Sequence, residues 1–79
     1  MTESISNKQI YEKTAIDYLQ TAAETKILIN EYEEKRKRTK RQDPMYMQYE
    51  YKLMGLYMVY NECRYKAKKL YDAAEKVNS

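Results

Sequence analysis

Several residue types that carry chemistry or break helices are scarce in this chain. It has no His, no Trp and no Phe, and only one Cys, one Gly and one Pro among 79 residues. Without His, the commonest general base and metal ligand is missing. The single cysteine, Cys63, is too few for an internal disulfide or a structural zinc site, and one glycine cannot build a glycine-rich phosphate loop. We therefore expect no catalytic site, no metal site and no cofactor, and we predict that the protein is not an enzyme.

Targeting signals are also missing from the sequence. Residues 1–13 lack the basic segment and apolar run of a signal peptide, and no apolar stretch approaches the roughly 20 residues that span a membrane. A lone unpaired cysteine is typical of a reducing compartment. These features predict a cytoplasmic protein without a membrane partner.

The length of the chain limits the core that it can build. Its 79 residues make one small domain, residues 1–79, with too little mass for a large buried core. Domains of this size usually depend on disulfides, on a metal or on a further copy of themselves. Because the first two are excluded by composition, self-association is the expected source of stability.

Two places in the sequence carry the residues that begin helices. Ser6 is followed three positions on by Gln9, which is the S-x-x-Q pattern of a capping box. No Gly or Pro follows until Pro44. Pro44 disfavours helical backbone at the residue before it and suits the first turn of a new helix, with Asp43 as its N-cap. The sequence therefore predicts two helices, about residues 7–41 and about residues 44–77, joined by a turn near Gln42–Pro44.

Apolar residues recur in both helices at alternating steps of three and four, which is the period of coiled-coil packing. This seam consists of Tyr11, Ala15, Tyr18, Ala22, Thr25, Ile29 and Tyr32 in the first helix, and Tyr46, Tyr49, Leu53, Leu56, Tyr60, Cys63, Ala67, Leu70, Ala74 and Val77 in the second. Two such helices joined by a turn predict an all-α fold, an antiparallel helical hairpin. On the seam, Cys63 is expected to act as a small, inert hydrophobic residue.

Each helix carries a second apolar stripe, and that of the second helix lies well over 100° around the helix from its seam. The stripes are Ile16, Leu19, Ala23 and Ile27 in the first helix, and Met47, Tyr51, Met54, Met58 and Tyr65 in the second. A two-helix hairpin hides only one seam per helix, so the second stripes require another surface. The simplest is a second hairpin, and we expect a homodimer or higher oligomer built as a four-helix bundle.

The second helix begins with a segment of unusual composition. Nine of the sixteen residues 45–60 are Tyr or Met. Tyr offers contact area with few rotatable bonds, and Met adapts to irregular neighbours, so the two together favour an interface over a sealed core. We predict Met47, Tyr51, Met54, Met58 and Tyr65 as partner-binding residues. The alternative is that this stripe is ordinary core or is used up in self-association.

The basic residues are concentrated in one run. The chain has a net charge of +3, yet six of its fifteen Lys and Arg residues fall in the run KRKRTKR. These residues are candidates for binding an anionic partner: Lys35, Arg36, Lys37, Arg38, Lys40 and Arg41. The alternative is a solvated hairpin tip, because basic residues are favoured at the end of a helix by its dipole and Glu31, Glu33 and Glu34 precede the run.

These patterns together predict a binding protein. We expect a small, self-associating regulatory, adaptor or inhibitor protein, of the kind that mobile elements encode, which binds another protein through its Tyr/Met-rich surface. The alternative is a nucleic-acid-binding protein that uses the basic hinge Lys35–Arg41 to neutralise phosphates.

Overall fold

The computed structural model describes residues 6–77 and contains two long α-helices. Helix α1 is Asn7–Lys37 and helix α2 is Pro44–Glu75. The two pack against each other along their length, so the predicted all-α hairpin is confirmed. The hairpin is 63 Å long, 23 Å wide and only 13 Å thick between Cα atoms. That thickness corresponds to a single layer of helices.

Both helices begin at the predicted residues. The Ser6 hydroxyl accepts a hydrogen bond from the Gln9 backbone N–H at 3.2 Å, and the Gln9 side-chain oxygen accepts one from the Ser6 N–H at 3.2 Å. This is the expected capping box. At the start of α2, the Asp43 carboxylate accepts a hydrogen bond from the Met45 N–H at 2.9 Å, and Pro44 occupies the first turn.

Helix α1 ends sooner than the sequence predicts. Its last residue is Lys37, whereas the prediction continued to Arg41. At Thr39 the backbone N–H donates to the Arg36 carbonyl at 3.1 Å, the tighter pattern that closes a helix. The Thr39 hydroxyl also donates to the Lys35 carbonyl at 2.7 Å, which satisfies an acceptor at the helix end.

The connection between the helices is therefore longer than the predicted turn. It comprises residues 38–43, with a turn closed by the Asp43 N–H and the Lys40 carbonyl at 2.9 Å. Several non-helical residues are needed because the chain must reverse direction between axes about 8–10 Å apart. Helix α2 likewise ends at Glu75, two residues before the predicted Val77.

The core is the predicted seam. Every seam residue is buried or partly buried in the hairpin, and the buried ones are Ala15, Ala22, Thr25, Ile29, Leu53, Cys63, Ala67 and Ala74. Only Ile29 and Leu53 combine a large side chain with complete burial. The buried Thr25 hydroxyl donates to the Thr21 carbonyl at 2.7 Å, so it is satisfied. A core built mainly from Ala and other small residues buries little apolar surface.

Tyrosines at the edges of the seam hold cations from the opposite helix. The Lys26 ammonium lies 5.7 Å from the centre of the Tyr60 ring, and the Lys66 ammonium lies 5.6 Å from the centre of the Tyr18 ring. At these distances a cation is attracted to the face of the ring. Tyr at such a position packs against the seam with its ring and leaves its hydroxyl near water. The choice of Tyr over Leu in this fold follows from that dual environment.

Gly55 is tolerated in α2 without a packing reason. A Cβ placed on Gly55 would meet nothing within 4 Å. Glycine inside a helix costs roughly 0.5–1 kcal/mol relative to alanine because the unfolded chain has more freedom to lose. We expect Gly55→Ala to raise the free energy of unfolding by about 0.5–1 kcal/mol, measured by urea denaturation. A destabilised Gly55→Ala variant would show that another chain approaches α2 at this residue.

Candidate interaction surface

The seam divides the rest of the hairpin surface into two broad sides. With the seam positions labelled a and d of a heptad, positions b and e of both helices lie on one side. In an antiparallel pair, the e positions of the two helices face each other along one edge of the seam, and the b positions lie next to them. We call this side the apolar face, and its apolar residues are Ile16, Leu19 and Ala23 of α1 with Met47, Met54 and Tyr57 of α2.

The opposite side, at positions c and g, has a different character. It carries charges of both signs on each helix: Asp17, Glu24, Glu31, Lys35 and Arg38 along α1 and at its end, and Lys52, Glu62, Lys66, Lys69 and Lys76 along α2 and at its end. Ile10, Leu28 and Val59 are also on this side and are 48%, 43% and 44% exposed, but no two large apolar residues follow each other there along either helix. A surface of mixed charge of this kind suits contact with water. We call this side the charged face.

A third surface follows the back of α2, at position f. Tyr51, Met58 and Tyr65 are seven residues apart, point directly away from the seam, and are 66%, 69% and 61% exposed. We call these three residues the outer ridge. The corresponding positions of α1 are mostly polar, since Lys13, Gln20 and Glu34 accompany Ile27.

The structure separates the predicted partner-binding residues into two groups. Met47 and Met54 lie on the apolar face and are each 59% exposed. Tyr51, Met58 and Tyr65 form the outer ridge. The sequence pattern treated the five as one stripe, and the hairpin places the two groups in neighbouring directions, about 40° apart around α2.

An open groove lies on the apolar face beside the connection. It has a volume of about 390 Å³, and its lining includes Leu53, Met47, Met54 and the ridge residue Tyr51. Arg36 of α1 and Glu50 of α2 line its edge, where they form an ion pair at 3.8 Å. The groove thus combines an adaptable, methionine-rich floor with a charged edge.

The other edge of this groove is held by a hydrogen bond between the helices. The Tyr57 hydroxyl donates to the Glu33 carboxylate. That hydrogen bond, together with desolvation and the negative charge of Glu33, raises the pKa of Tyr57 above its usual value, while the Arg36 charge opposes the shift. Sequence reasoning does not pair Tyr57 with Glu33. The signal that finds them is that both occupy position e, and an antiparallel pair brings the e positions of its helices together.

The Tyr57–Glu33 hydrogen bond gives a pH-dependent prediction. Because the pKa of Tyr57 is raised in the folded protein, the unfolded chain loses this proton first as pH rises. The contribution to stability is therefore complete below pH 10.0, the usual tyrosine value, and is lost as pH rises through the higher folded pKa. Tyr57→Phe should lower the free energy of unfolding by about 0.5–1 kcal/mol at neutral pH, and the difference from wild type should shrink above pH 10.0. Tyr51→Phe, on the outer ridge, is the control and should match wild type throughout; a constant Tyr57→Phe difference at every pH would contradict the assignment.

A second groove on the apolar face lies near the middle of the hairpin. It has a volume of about 330 Å³ and is lined by Leu19 and Ala23 of α1 and by Tyr60 of α2, together with Lys26 and Arg64. Its walls come from both helices. The two grooves place apolar surface on the same face from beside the connection to the middle of the hairpin.

The basic run is spread around the tip of the hairpin and does not form a single row along a helix. Lys35 lies over the Tyr32 ring at 4.9 Å from its centre, and Arg36 is paired with Glu50. Arg38 is 3.9 Å from the Glu34 carboxylate. The remaining cations, Lys37, Lys40 and Arg41, are exposed and make no ion pair within residues 6–77. Half of the predicted anion-binding residues are therefore engaged by neighbours in the hairpin.

Within residues 6–77, no three His, Cys, Asp or Glu side chains gather into a group that could hold a metal ion. Neither helix, over the described residues, has an apolar stretch of the length that crosses a membrane. Cys63 is buried and unpaired. Compared with models of protein families, with curated proteins and with solved structures, the chain matches none.

Proposed function

We propose that the protein is a small, non-enzymatic interaction module that associates with itself and binds a protein partner through Tyr- and Met-rich surface of α2. It would act as a regulatory, adaptor or inhibitor protein in the cytoplasm, of the kind that mobile elements encode. One observation carries the proposal: all five predicted partner-binding residues are 59–69% exposed in the hairpin. Large apolar side chains grouped on the surface of a small domain are typical of an interaction site.

The kind of residue on this surface favours a protein partner. Tyr is among the residues that contribute most to protein interfaces, since its ring buries a large area and its hydroxyl still makes a hydrogen bond. Met fits partners of differing shape because it is unbranched and polarisable. The outer ridge presents two Tyr and one Met in a straight line along a rigid helix, which is a geometry that another helix or a groove can match.

A nucleic-acid-binding function is the alternative, and one observation favours it. Lys37, Lys40 and Arg41 project from the tip without a partner within residues 6–77, so they are available to phosphates. The same tip also holds Glu33 and Glu34, which line a shared cavity with Arg36, Lys37 and Arg41. Acidic groups within that cavity repel a phosphate backbone, and this weakens the alternative.

The two functions are separated by reversing the charge at the tip. Arg36 is left unchanged because its pairing with Glu50 supports the fold. The test variant changes Lys37, Arg38, Lys40 and Arg41 to Glu. A matched control makes the same charge change near the free ends of the helices and away from the apolar face, at Lys8, Lys13, Lys69 and Lys76.

We expect the wild-type protein to form no specific DNA or RNA complex in gel-shift assays at about physiological salt, where screening acts over roughly 8 Å. Both variants should still capture the protein partner from extracts of the native cells, with the tip variant capturing it more slowly because steering is reduced. A tight wild-type complex with nucleic acid would instead support the alternative. In a plot of log affinity against log salt concentration, such a complex would show a slope of about −0.9 for each phosphate neutralised. The complex would be lost only in the tip variant.

A further inference from the structure

The hairpin exposes more surface than a chain of its size normally does. The accessible area is 6669 Å², whereas about 5,100 Å² is typical of a compact monomer of 9.6 kDa. The excess is on the order of 1,500 Å² per chain. Obligate homodimers bury about 2,000–5,000 Å² over both partners, so one interface with a second copy accounts for an excess of this size.

We infer that a second copy of the chain covers the apolar face, with the two hairpins antiparallel, and that Met58 and Tyr65 of the outer ridge stay free. This inference rests on the proposed function in one respect, since it takes self-association as given. The inference specifies the surface through which the two copies associate, their relative orientation, and the residues that remain available to a different protein. On the apolar face Ile16, Leu19 and Ala23 follow one another along α1, and Met54 and Tyr57 do so along α2, which the charged face does not match.

The charges on the hairpin select the antiparallel orientation. A parallel pair would bring two tips together, each with the exposed cations Lys37, Lys40 and Arg41, and like charges at close range repel. An antiparallel pair separates the tips by the length of the hairpin, 63 Å. That is far beyond the distance over which charges interact in about physiological salt, roughly 8 Å.

The apolar face carries charges of both signs toward each of its ends. Near the tip these are Glu33, Glu50 and Lys37, and toward the free ends they are Glu12, Arg64, Lys68 and Glu75. The orientation therefore follows from the exposed cations of the tips and not from the charges of this face. Turning one hairpin end over end places the Met47 and Met54 end of one α2 over the Ile16 and Leu19 end of the partner chain.

The outer ridge lies along the margin of this interface. Tyr51 lines the groove of the apolar face with Met47 and Met54, whereas Met58 and Tyr65 point away from the seam at position f and are 69% and 61% exposed. Under this inference self-association uses Met47 and Met54, while Met58 and Tyr65 of each copy remain available to a partner.

The test compares glutamates placed on the two surfaces. Met54→Glu and Ile16→Glu alter the apolar face, and Met58→Glu, on the same helix as Met54, is the matched control on the ridge. Light scattering after size exclusion should give two copies for the wild type and for Met58→Glu, and one copy for Met54→Glu and Ile16→Glu. Circular dichroism on the same samples shows whether each variant is still helical. If one of the two face variants does not fold, the other still tests the inference.

Orientation is tested by cross-linking in a Cys63→Ala background. A short bismaleimide should join a Met47→Cys chain to an Ile16→Cys chain when the two are mixed, and should not join two Met47→Cys chains. Cross-linking of Met47→Cys to itself would overturn the antiparallel arrangement. Two results would overturn the assignment of surfaces: Met58→Glu could be monomeric while both face variants stay dimeric, or all three variants could be monomeric. Either result would still agree with the proposed self-association. A monomeric wild type would overturn both.

Discussion

A chain in which Tyr51, Met58 and Tyr65 are all changed to Ala is expected to bind its protein partner roughly 100-fold more weakly or worse, with the hairpin intact. The expectation follows from the exposure of these three side chains, 66%, 69% and 61%. Side chains so exposed contribute little to folding, yet a few large residues of this kind dominate interface energies, often by more than 1 kcal/mol each. About 1.4 kcal/mol corresponds to a tenfold change in affinity.

A matched control for the ridge variant lies on the same helix. Gln48, Glu62 and Lys69 occupy position c of α2 and are exposed, so changing them together to Ala removes comparable side-chain mass from the charged face. The measurement is capture of the partner from native cells, followed by titration with the identified protein. If the two triple variants lose the same affinity for the partner, or if the ridge variant binds as tightly as the wild type, the ridge is not the partner site.

The largest effect on stability is expected at Ile29. This side chain and Leu53 are the largest that the seam buries completely, at 0% and 1% exposure. Ile29→Ala removes apolar contact and leaves a cavity, which typically lowers the free energy of unfolding by about 2–5 kcal/mol. In a small domain that loss is a large share of the total stability, commonly about 5–15 kcal/mol.

Ile27 provides the control for this prediction, because it is on the same helix and is 60% exposed. Ile27→Ala makes the same chemical change outside the seam and should lower the free energy of unfolding by less than about 1 kcal/mol. Both variants are compared by urea denaturation at the same protein concentration. Similar losses in the two would contradict the assignment of Ile29 to the core and Ile27 to the surface.

The fold was predictable because helix signals in this sequence agree with one another. The heptad seam identifies every buried residue of the core, and the residues at Ser6 and Asp43 that cap the helices are read directly from short local patterns. The end of α1 was predicted wrongly, at residue 41 instead of Lys37. Lys and Arg favour helix, so the basic run gives no stop signal, and the space that the chain needs to reverse direction is a property of the packed pair of helices.

The candidate site was predictable only in part. Hydrophobic periodicity identified Met47, Tyr51, Met54, Met58 and Tyr65 as exposed apolar residues, and they are exposed. It did not separate them into a face and a ridge, because that distinction depends on where the neighbouring helix lies. The polar edge of the groove, formed by Glu33 with Tyr57 and by Arg36 with Glu50, depends on side chains more than ten residues apart in the chain. A pattern within one helix cannot reveal such pairs.

The central claim is that this single layer of two helices is completed by a second copy, and its most direct test is thermal unfolding at two protein concentrations a hundredfold apart. When folding requires association, the midpoint depends on concentration. For two chains of 79 residues we expect the midpoint to rise by roughly 8 °C at the higher concentration. A midpoint that is the same at both concentrations, with a reversible two-state transition, would show that the hairpin folds alone and would contradict the claim.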